Sequence, residues 1–152
     1  MVENETLKNR IARIIAATRF PFIDQEDWGE GFITIVNDEL KRRGIETEEG
    51  VIYPSIVILR SDREIQEIGE VEMEEGVKVE NVPKWRLFSE NAKVSRYVKK
   101  FFLYVPKGFE EKAMKLLENN SIEYAGLRSW EIVKGNVSIE AVKSNDGPHD
   151  HR

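Results

Sequence analysis

Apolar residues in the first part of the chain recur at the spacing of an amphipathic helix. Within residues 5–20 they share one helical face with a threonine, and this spacing predicts a helix. The face is formed by Leu7, Ile11, Ile14, Ile15 and Thr18. Pro21 ends the predicted helix, because proline cannot continue one.

A second helix is predicted over residues 26–43. Four apolar side chains cluster on one face when residues are placed at steps of about 100°. They are Trp28, Phe32, Ile35 and Val36. Asp24 or Asp27 can cap the start of this helix, and Gly44 is placed to end it. Glu39 falls in the middle of the apolar face, so we expect its carboxyl group to face the sheet rather than solvent.

Two strand-like runs follow the second helix. They span residues 51–59 and 65–73, and the short polar link at residues 60–63 predicts a hairpin. Pro54 lies within the first run, which indicates a strand start or a sheet edge at that point.

The second half of the chain alternates helices with strands. After a predicted loop at residues 76–82, the predicted elements are a helix at 83–97, a strand at 100–105, a helix at 109–119 and short strands at 122–126, 127–133 and 137–142. This order predicts an α/β fold with a mixed central sheet flanked by helices. We expect one domain over residues 1–143 and a flexible tail over residues 144–152, which has no large apolar residue to anchor it.

Paired acidic residues lie on the second of the two strand-like runs. Glu70 and Glu72 are two residues apart, so their side chains project to the same face of a strand, and Gly69 before them permits a bulge or a close backbone approach. Two buried carboxylates repel each other and lose hydration, and a divalent cation is the usual means of offsetting that cost. With Glu39 they form a candidate site for Mg2+ or Mn2+.

An ordinary structural interpretation of these acidic residues stays open. Glu70 and Glu72 could line the solvent face of an antiparallel strand. Glu39 could pair with a buried arginine, or its stem could run past the core to solvent.

Composition narrows the class of protein. The 152 residues are 40% hydrophobic and 34% charged, which is typical of a globular domain. A net charge of −5 argues against a generally basic nucleic-acid-binding protein but permits a local basic groove. The absence of cysteine excludes disulfides and thiolate metal sites and fits a reducing compartment.

The expected location is cytoplasmic. No apolar run is long enough to cross a membrane, and the N-terminal residues lack the pattern of a secretory signal. The high content of Glu, Lys and Arg resembles that of proteins from thermophiles. Both histidines lie in the tail and no glycine-rich phosphate loop is present, so neither a Ser–His–Asp triad nor a P-loop is supported.

Residues 39–106 resemble the PD-(D/E)XK nuclease superfamily. The matching pieces are Glu39, the run Tyr53-Pro54-Ser55-Ile56-Val57, a hairpin, Glu70-Val71-Glu72, Trp85 and Lys93, and the run from Phe101 to Pro106. The resemblance implies a restriction-endonuclease-like fold, with an αβββαβ core and extra α/β elements.

The resemblance also implies roles for individual residues. In that superfamily an acidic residue after proline and the first acidic residue of (D/E)-x-K bind Mg2+, and the lysine orients or activates the attacking water. Glu70 resembles the second metal ligand and Glu39 a carboxylate that often joins the site from a helix. Ser55 stands where the aspartate is expected, and Glu72 where the lysine is expected. Ser55 could serve as a weak neutral ligand, and Glu72 as another ligand or a general base.

Several cations follow these motifs. Lys84, Arg86, Lys93 and Arg96 could contact nucleic-acid phosphates, while Trp85 and Tyr97 could stack on bases. Trp85 also shares a helical face with apolar residues, which favours a place in the core instead.

Two functions remain in view. The first is a metal-dependent endonuclease that hydrolyses nucleic-acid phosphodiesters. The second is a catalytically inactive nuclease-like module that binds nucleic acid or a protein partner, with a homodimer as one form of such an interaction. A small-molecule site in the same cleft has no specific marker in the sequence.

Overall fold

The computed structural model of this chain describes residues 2–20, 28–95 and 97–145, with side chains from residue 4 onward. The helices are α1 (Val2–Arg19), α2 (Val82–Asn91) and α3 (Glu110–Asn119). The strands are β1 (Ile33–Val36), β2 (Ile45–Thr47), β3 (Gly50–Ile52), β4 (Ile56–Leu59), β5 (Ile65–Val71), β6 (Val94–Ser95), β7 (Val98–Lys99), β8 (Phe101–Pro106), β9 (Gly126–Val133) and β10 (Asn136–Ser144). Short 3-10 turns at Glu74–Gly76 and Val79–Asn81 connect β5 to α2.

Six strands form one mixed sheet in the order β1-β4-β5-β8-β9-β10. β4 is antiparallel to both β1 and β5, β8 is parallel to both β5 and β9, and β10 returns antiparallel to β9. The hairpins β2–β3 and β6–β7 form separate two-stranded sheets. The predicted α/β class with a mixed central sheet flanked by helices is therefore confirmed.

Each face of the sheet is covered by helices. Ile11 and Ile15 of α1 belong to the same buried cluster as Phe102 of β8, on one face. Trp85 of α2 and Leu117 of α3 belong to the cluster on the other face. Every residue of β8 is buried, which explains why that strand is a continuous apolar run rather than an alternating one.

Several predicted elements are confirmed. The first helix, the hairpin around residues 60–63, the strand at 100–105 and the helix at 109–119 match α1, the β4–β5 turn, β8 and α3. The last two predicted strands match β9 and β10.

The predicted helix over residues 26–43 is wrong. Ile33–Val36 forms β1, which pairs with β4; all four of its residues are β-branched and fit a strand better than a helix. After this strand the Asn37 side chain accepts hydrogen bonds from the N–H groups of Arg42 and Arg43 at 2.8 and 3.0 Å. It therefore closes a turn where a helix was expected. The proposed caps Asp24 and Asp27 lie outside the described residues.

Smaller differences concern element ends. The helix predicted at 83–97 stops at Asn91, and the β6–β7 hairpin follows it. Residues 122–125 form no strand, and residues 51–59 divide into β3 and β4 around Pro54. Ser144, where the tail was expected to begin, still belongs to β10, and residues 146–152 lie outside the described part of the chain.

Within the part of the chain that the structure describes, no helix combines the length and the apolar character needed to cross a membrane.

Candidate functional site

The predicted acidic pair lies at the carboxyl end of β5, inside the protein. Glu70 and Glu72 are 2% and 3% exposed. β5 lies between β4 and β8, and the N–H of Glu72 donates to the carbonyl oxygen of Tyr104 in β8 at 2.8 Å. The backbone is therefore fixed on both sides, and the two side chains converge as the strand period predicts.

A lysine ammonium joins the two carboxylates. Lys84 Nζ lies 3.0 Å from Glu70 Oε2 and 2.7 Å from Glu72 Oε2. Lys8 Nζ of α1 lies 3.6 Å from the same Glu70 oxygen. Lys84 is in the first turn of α2, where the helix dipole disfavours a cation, so the two carboxylates are what stabilise its charge at that position.

Ser55 holds the other oxygen of Glu70. Its N–H and its Oγ both donate to Glu70 Oε1 at 2.8 Å, and its Oγ accepts from the N–H of Val71 at 3.1 Å. Burial alone would raise the pKa of Glu70. The charges of Lys8 and Lys84, together with the Ser55 hydrogen bonds, outweigh burial and lower this pKa from 4.5 to about 2.

Glu72 has a different environment although it shares the same ammonium. Burial and then the charge of Glu70 raise its pKa, and Lys84 and Trp85 oppose this only in part. Trp85 Nε1 donates to Glu72 Oε2 at 2.7 Å, and Trp130 Nε1 donates to the Glu72 carbonyl oxygen at 3.0 Å. The pair therefore combines a firmly ionised Glu70 with a Glu72 that takes up a proton more readily.

Lys84 is charged in this arrangement. Burial would lower its pKa, but Glu70 and Glu72 raise it above the usual 10.5. A permanent ammonium with two carboxylates is a cluster in which every charge has a partner.

Glu72 connects the pair to a cavity of about 240 Å3. A Cβ atom at Gly76 would overlap Glu72 Oε1, so only glycine leaves the carboxylate its present position. The cavity lies between the start of α1 and the 3-10 turns. Besides Glu72 and Gly76, its polar lining consists of Asn4, Glu5, Lys8, Glu75, Lys78 and Asn81.

The structure brings Glu70, Glu72 and Ser55 together but not Glu39. Glu39 has a side chain 60% exposed, and its Oε2 accepts a hydrogen bond from Arg13 Nη1 at 2.9 Å. The expectation that it faces the sheet is wrong because the helix that would aim it inward does not exist. No group of three or more acidic, histidine or cysteine residues arranged to hold a metal occurs among the described residues, so the set Glu39, Glu70 and Glu72 is not assembled.

The cations predicted to contact nucleic acid are dispersed. Lys84 lies in the acidic cluster and Arg86 is half-buried further along α2. Lys93 lies toward the opposite end of β5, where its N–H donates to the carbonyl oxygen of Gln66 at 3.0 Å. Arg96 lies outside the described residues. Trp85 is fully buried in the core, whereas Tyr97 is fully exposed.

Sequence reasoning missed the roles of Lys8, Lys84 and Trp85 at this site. Two signals were present. Lys8 shares the helical face of Ile11 and Ile15, so a cation interrupts the apolar stripe of α1. Glu39 interrupts the apolar face of the helix predicted over residues 26–43 in the same way. A buried tryptophan needs a partner for its indole N–H, and an acidic residue supplies one.

No protein family matches the chain, and no match is found among curated proteins or solved structures. Its function is therefore inferred from the arrangement of the acidic cluster and from the order of the secondary-structure elements.

Proposed function

We propose that this chain is a metal-dependent nuclease of the PD-(D/E)XK type, in which Glu70 and Glu72 bind Mg2+ or Mn2+ and Lys84 supplies the amine. The observation that carries the proposal is the position of Lys84 Nζ, 3.0 and 2.7 Å from the two buried carboxylates. Two acidic residues and a lysine are the chemical groups that this type of active site uses.

The order of elements in the main sheet supports the proposal. Along the chain, α1, β1, β4, β5, α2 and β8 follow the αβββαβ order expected from the resemblance. β4 is antiparallel to both β1 and β5, and β8 is parallel to β5. The hairpins β2–β3 and β6–β7 are insertions in this order, since they form sheets of their own.

Lys84 accounts for the apparent loss of the motif lysine. The lysine of the superfamily motif corresponds to position 72, where this chain has Glu72. An amine that arrives from α2 reaches the same carboxylates that a strand lysine would adjoin. Glu72 is thereby free to act as a second acidic ligand, which offsets the neutral Ser55 in place of an aspartate.

The oxygen donors suit a hard divalent cation. Glu70 and Glu72 provide carboxylate oxygens, and Glu5 of α1 lines the same cavity as Glu72. A bound Mg2+ or Mn2+ would polarise the phosphate and lower the pKa of an attacking water. In this proposal Ser55 positions Glu70, and Lys84 provides the positive charge that faces the substrate.

A second candidate function has its own support. In the present arrangement Lys8 and Lys84 already neutralise Glu70 and Glu72, so the cluster does not need a divalent cation for stability. A catalytically inactive nuclease-like module that binds nucleic acid or a protein partner would keep such a closed cluster.

Cleavage assays decide between the two functions. Single- and double-stranded DNA and RNA are incubated with Mg2+ or Mn2+ and wild-type protein, Glu70→Gln or Lys84→Met. Glu140→Gln on the exposed side of β10 is the control. The nuclease predicts cleavage by the wild type and the control and a loss of at least a hundredfold in both cluster variants. Absence of metal-dependent cleavage by the wild type, or equal cleavage by Glu70→Gln, would remove the enzyme and leave the inactive module.

A further inference from the structure

A second polar groove lies at the other end of β5. Two adjoining cavities of about 510 and 230 Å3 share the lining residues Arg43, Ile65 and Asn91. Ile65 begins β5 and Glu72 follows its end, so the groove is roughly 20 Å from the acidic cluster along the strand. We call this surface the basic groove, and its defining residues are Arg42, Arg43, Tyr53, Lys93 and Lys99.

Among the residues that the structure describes, no ion pair neutralises the cations of the basic groove. Arg43 Nη1 donates to the carbonyl oxygen of Arg63 at 3.0 Å, and Lys99 Nζ to that of Ala92 at 3.2 Å. Neither contact cancels a charge. Within the described residues, none of Arg42, Arg43, Lys93 and Lys99 lies in a salt bridge.

The lining has four cations and three carboxylates. The carboxylates belong to Glu46, Glu64 and Glu90. The groove lining therefore carries more positive than negative charge, although the whole chain has a net charge of −5. Such a local surplus attracts a ligand with several negative charges. Because the carboxylates are interspersed with the cations, the groove also offers acceptors for the N–H groups of a ligand.

An aromatic ring lies beside the two arginines. Tyr53 is 39% exposed, next to the exposed Val51 and the buried Ile45 and Ile65. A Cβ atom at Gly44 would come within 2.9 Å of Cδ1 of Tyr53, so this glycine makes room for the ring. A half-exposed ring over an apolar floor is a surface on which a planar base can stack.

The β6–β7 hairpin extends the groove outward. Lys93 and Lys99 stand at its base, and Tyr97 at its tip is 100% exposed. The backbone of Tyr97 has a positive φ of 71°, a conformation common in tight turns.

We propose that the basic groove binds single-stranded nucleic acid, with a base stacked on Tyr53 and phosphates held by the four cations of the groove. The larger cavity, of about 510 Å3, lies in the size range of small-molecule sites and has room for a base. An acidic peptide would use the cations but leave the tyrosine ring without a planar partner. This inference concerns binding alone and does not depend on whether Glu70 and Glu72 support cleavage.

Binding is measured by fluorescence anisotropy with labelled oligothymidylate and oligouridylate of about 12 nucleotides, in EDTA so that no metal-dependent cleavage occurs. The variants are Arg42→Ala, Lys93→Ala, Tyr53→Ala and Tyr53→Trp. Arg42 and Lys93 are exposed and their side chains contact no partner in the described chain, so these substitutions leave the fold intact. Lys115→Ala on the exposed face of α3 is the matched control.

Each lost phosphate contact should reduce the magnitude of the slope of log K against log salt by about 0.7. At about 0.1 M salt this corresponds to roughly fivefold weaker binding per contact, and about 25-fold for Arg42→Ala combined with Lys93→Ala. Tyr53→Ala should weaken binding about fivefold or more without changing the slope, and Tyr53→Trp should restore it.

Any one of the following results would overturn the proposal. They are no binding by the wild type at low salt, an equal loss with Lys115→Ala, and an acidic peptide that binds as tightly as the oligonucleotide with no effect of Tyr53→Ala. Cleavage by the wild type together with unchanged binding in the groove variants would refute this inference while leaving the nuclease proposal in place. Binding that the groove variants weaken, together with no cleavage by the wild type, would refute the nuclease proposal and leave this inference in place.

Discussion

The Lys84→Met variant removes the ammonium between Glu70 and Glu72 while keeping an unbranched apolar stem. Among the described residues, Lys8 is then the one cation left in an ion pair with the cluster, 3.6 Å from Glu70. Loss of one partner of a buried ion pair costs about 3–5 kcal/mol. We expect about 3 kcal/mol, because Lys84 is itself 24% exposed and Lys8 still compensates Glu70.

The pH dependence of this deficit has a defined sign. The pKa of Glu72 is already raised by burial and by Glu70, and loss of the ammonium raises it further. A carboxyl group with a raised pKa in the folded state binds its proton more tightly there than in the unfolded chain. Protonation of Glu72 therefore stabilises the folded state at low pH, and this stabilisation is lost as pH rises through the raised pKa. The loss of stability caused by Lys84→Met should be largest at about pH 8 and should shrink as pH falls toward 5.

Urea unfolding at both pH values measures the free energy of unfolding. Lys115→Met is the matched control, because Lys115 forms an exposed pair with Glu111 on α3 at 3.1 Å and such pairs contribute less than about 0.5 kcal/mol. The reasoning fails if Lys84→Met costs no more than the control. It also fails if the deficit grows as pH is lowered.

Three further predictions concern the same cluster. Ser55→Ala should lower the free energy of unfolding by about 1–3 kcal/mol and raise the pKa of Glu70. The substitution removes the hydrogen bond of 2.8 Å to Glu70 and leaves the N–H of Val71 without its acceptor. Urea unfolding measures the change in stability, and carboxyl NMR titration measures the change in pKa. Because the pKa of Glu70 is lowered from 4.5 to about 2, its contribution of about 3 kcal/mol should be present above pH 4.5 and disappear as pH falls toward 2. Glu70→Gln should lack this acid dependence in the same assay, and an unchanged dependence would contradict the assignment. Gly76→Ala should destabilise the protein by about 1–3 kcal/mol, since the added Cβ overlaps Glu72 Oε1; a thermal melting curve equal to that of the wild type would show that the carboxylate has moved at no cost.

The spacing of apolar residues correctly predicted those helices and strands in which the apolar positions are also the buried ones. α1 buries Ile11 and Ile15 as its spacing requires, and β8 is a strand because its whole run is apolar. β1 was mistaken for a helix because Trp28, Phe32 and Ile35 happen to fit helical spacing. Pairing with β4, in which Ile35 lies opposite Val57, decides the structure there, and such long-range pairing is invisible in a short window.

The acidic cluster was predicted in part for a related reason. The two-residue period of β5 brings Glu70 and Glu72 together, and their burial requires compensating positive charge. Which cation supplies it could not be read from spacing, since Lys8 and Lys84 approach from helices distant in sequence. Glu39 appeared to join the pair only because its helix was misassigned.

The indole groups described above give the protein a built-in optical reporter. Of the three tryptophans in the chain, Trp85 and Trp130 both donate to Glu72, whereas Trp28 packs against Phe32. Gain of a proton at Glu72, or arrival of a cation beside it, alters the electric field at the indole rings of Trp85 and Trp130. The substitution Trp28→Phe removes the emission of the third ring. Intrinsic fluorescence of Trp28→Phe protein therefore follows the state of the carboxylate in solution without any attached dye.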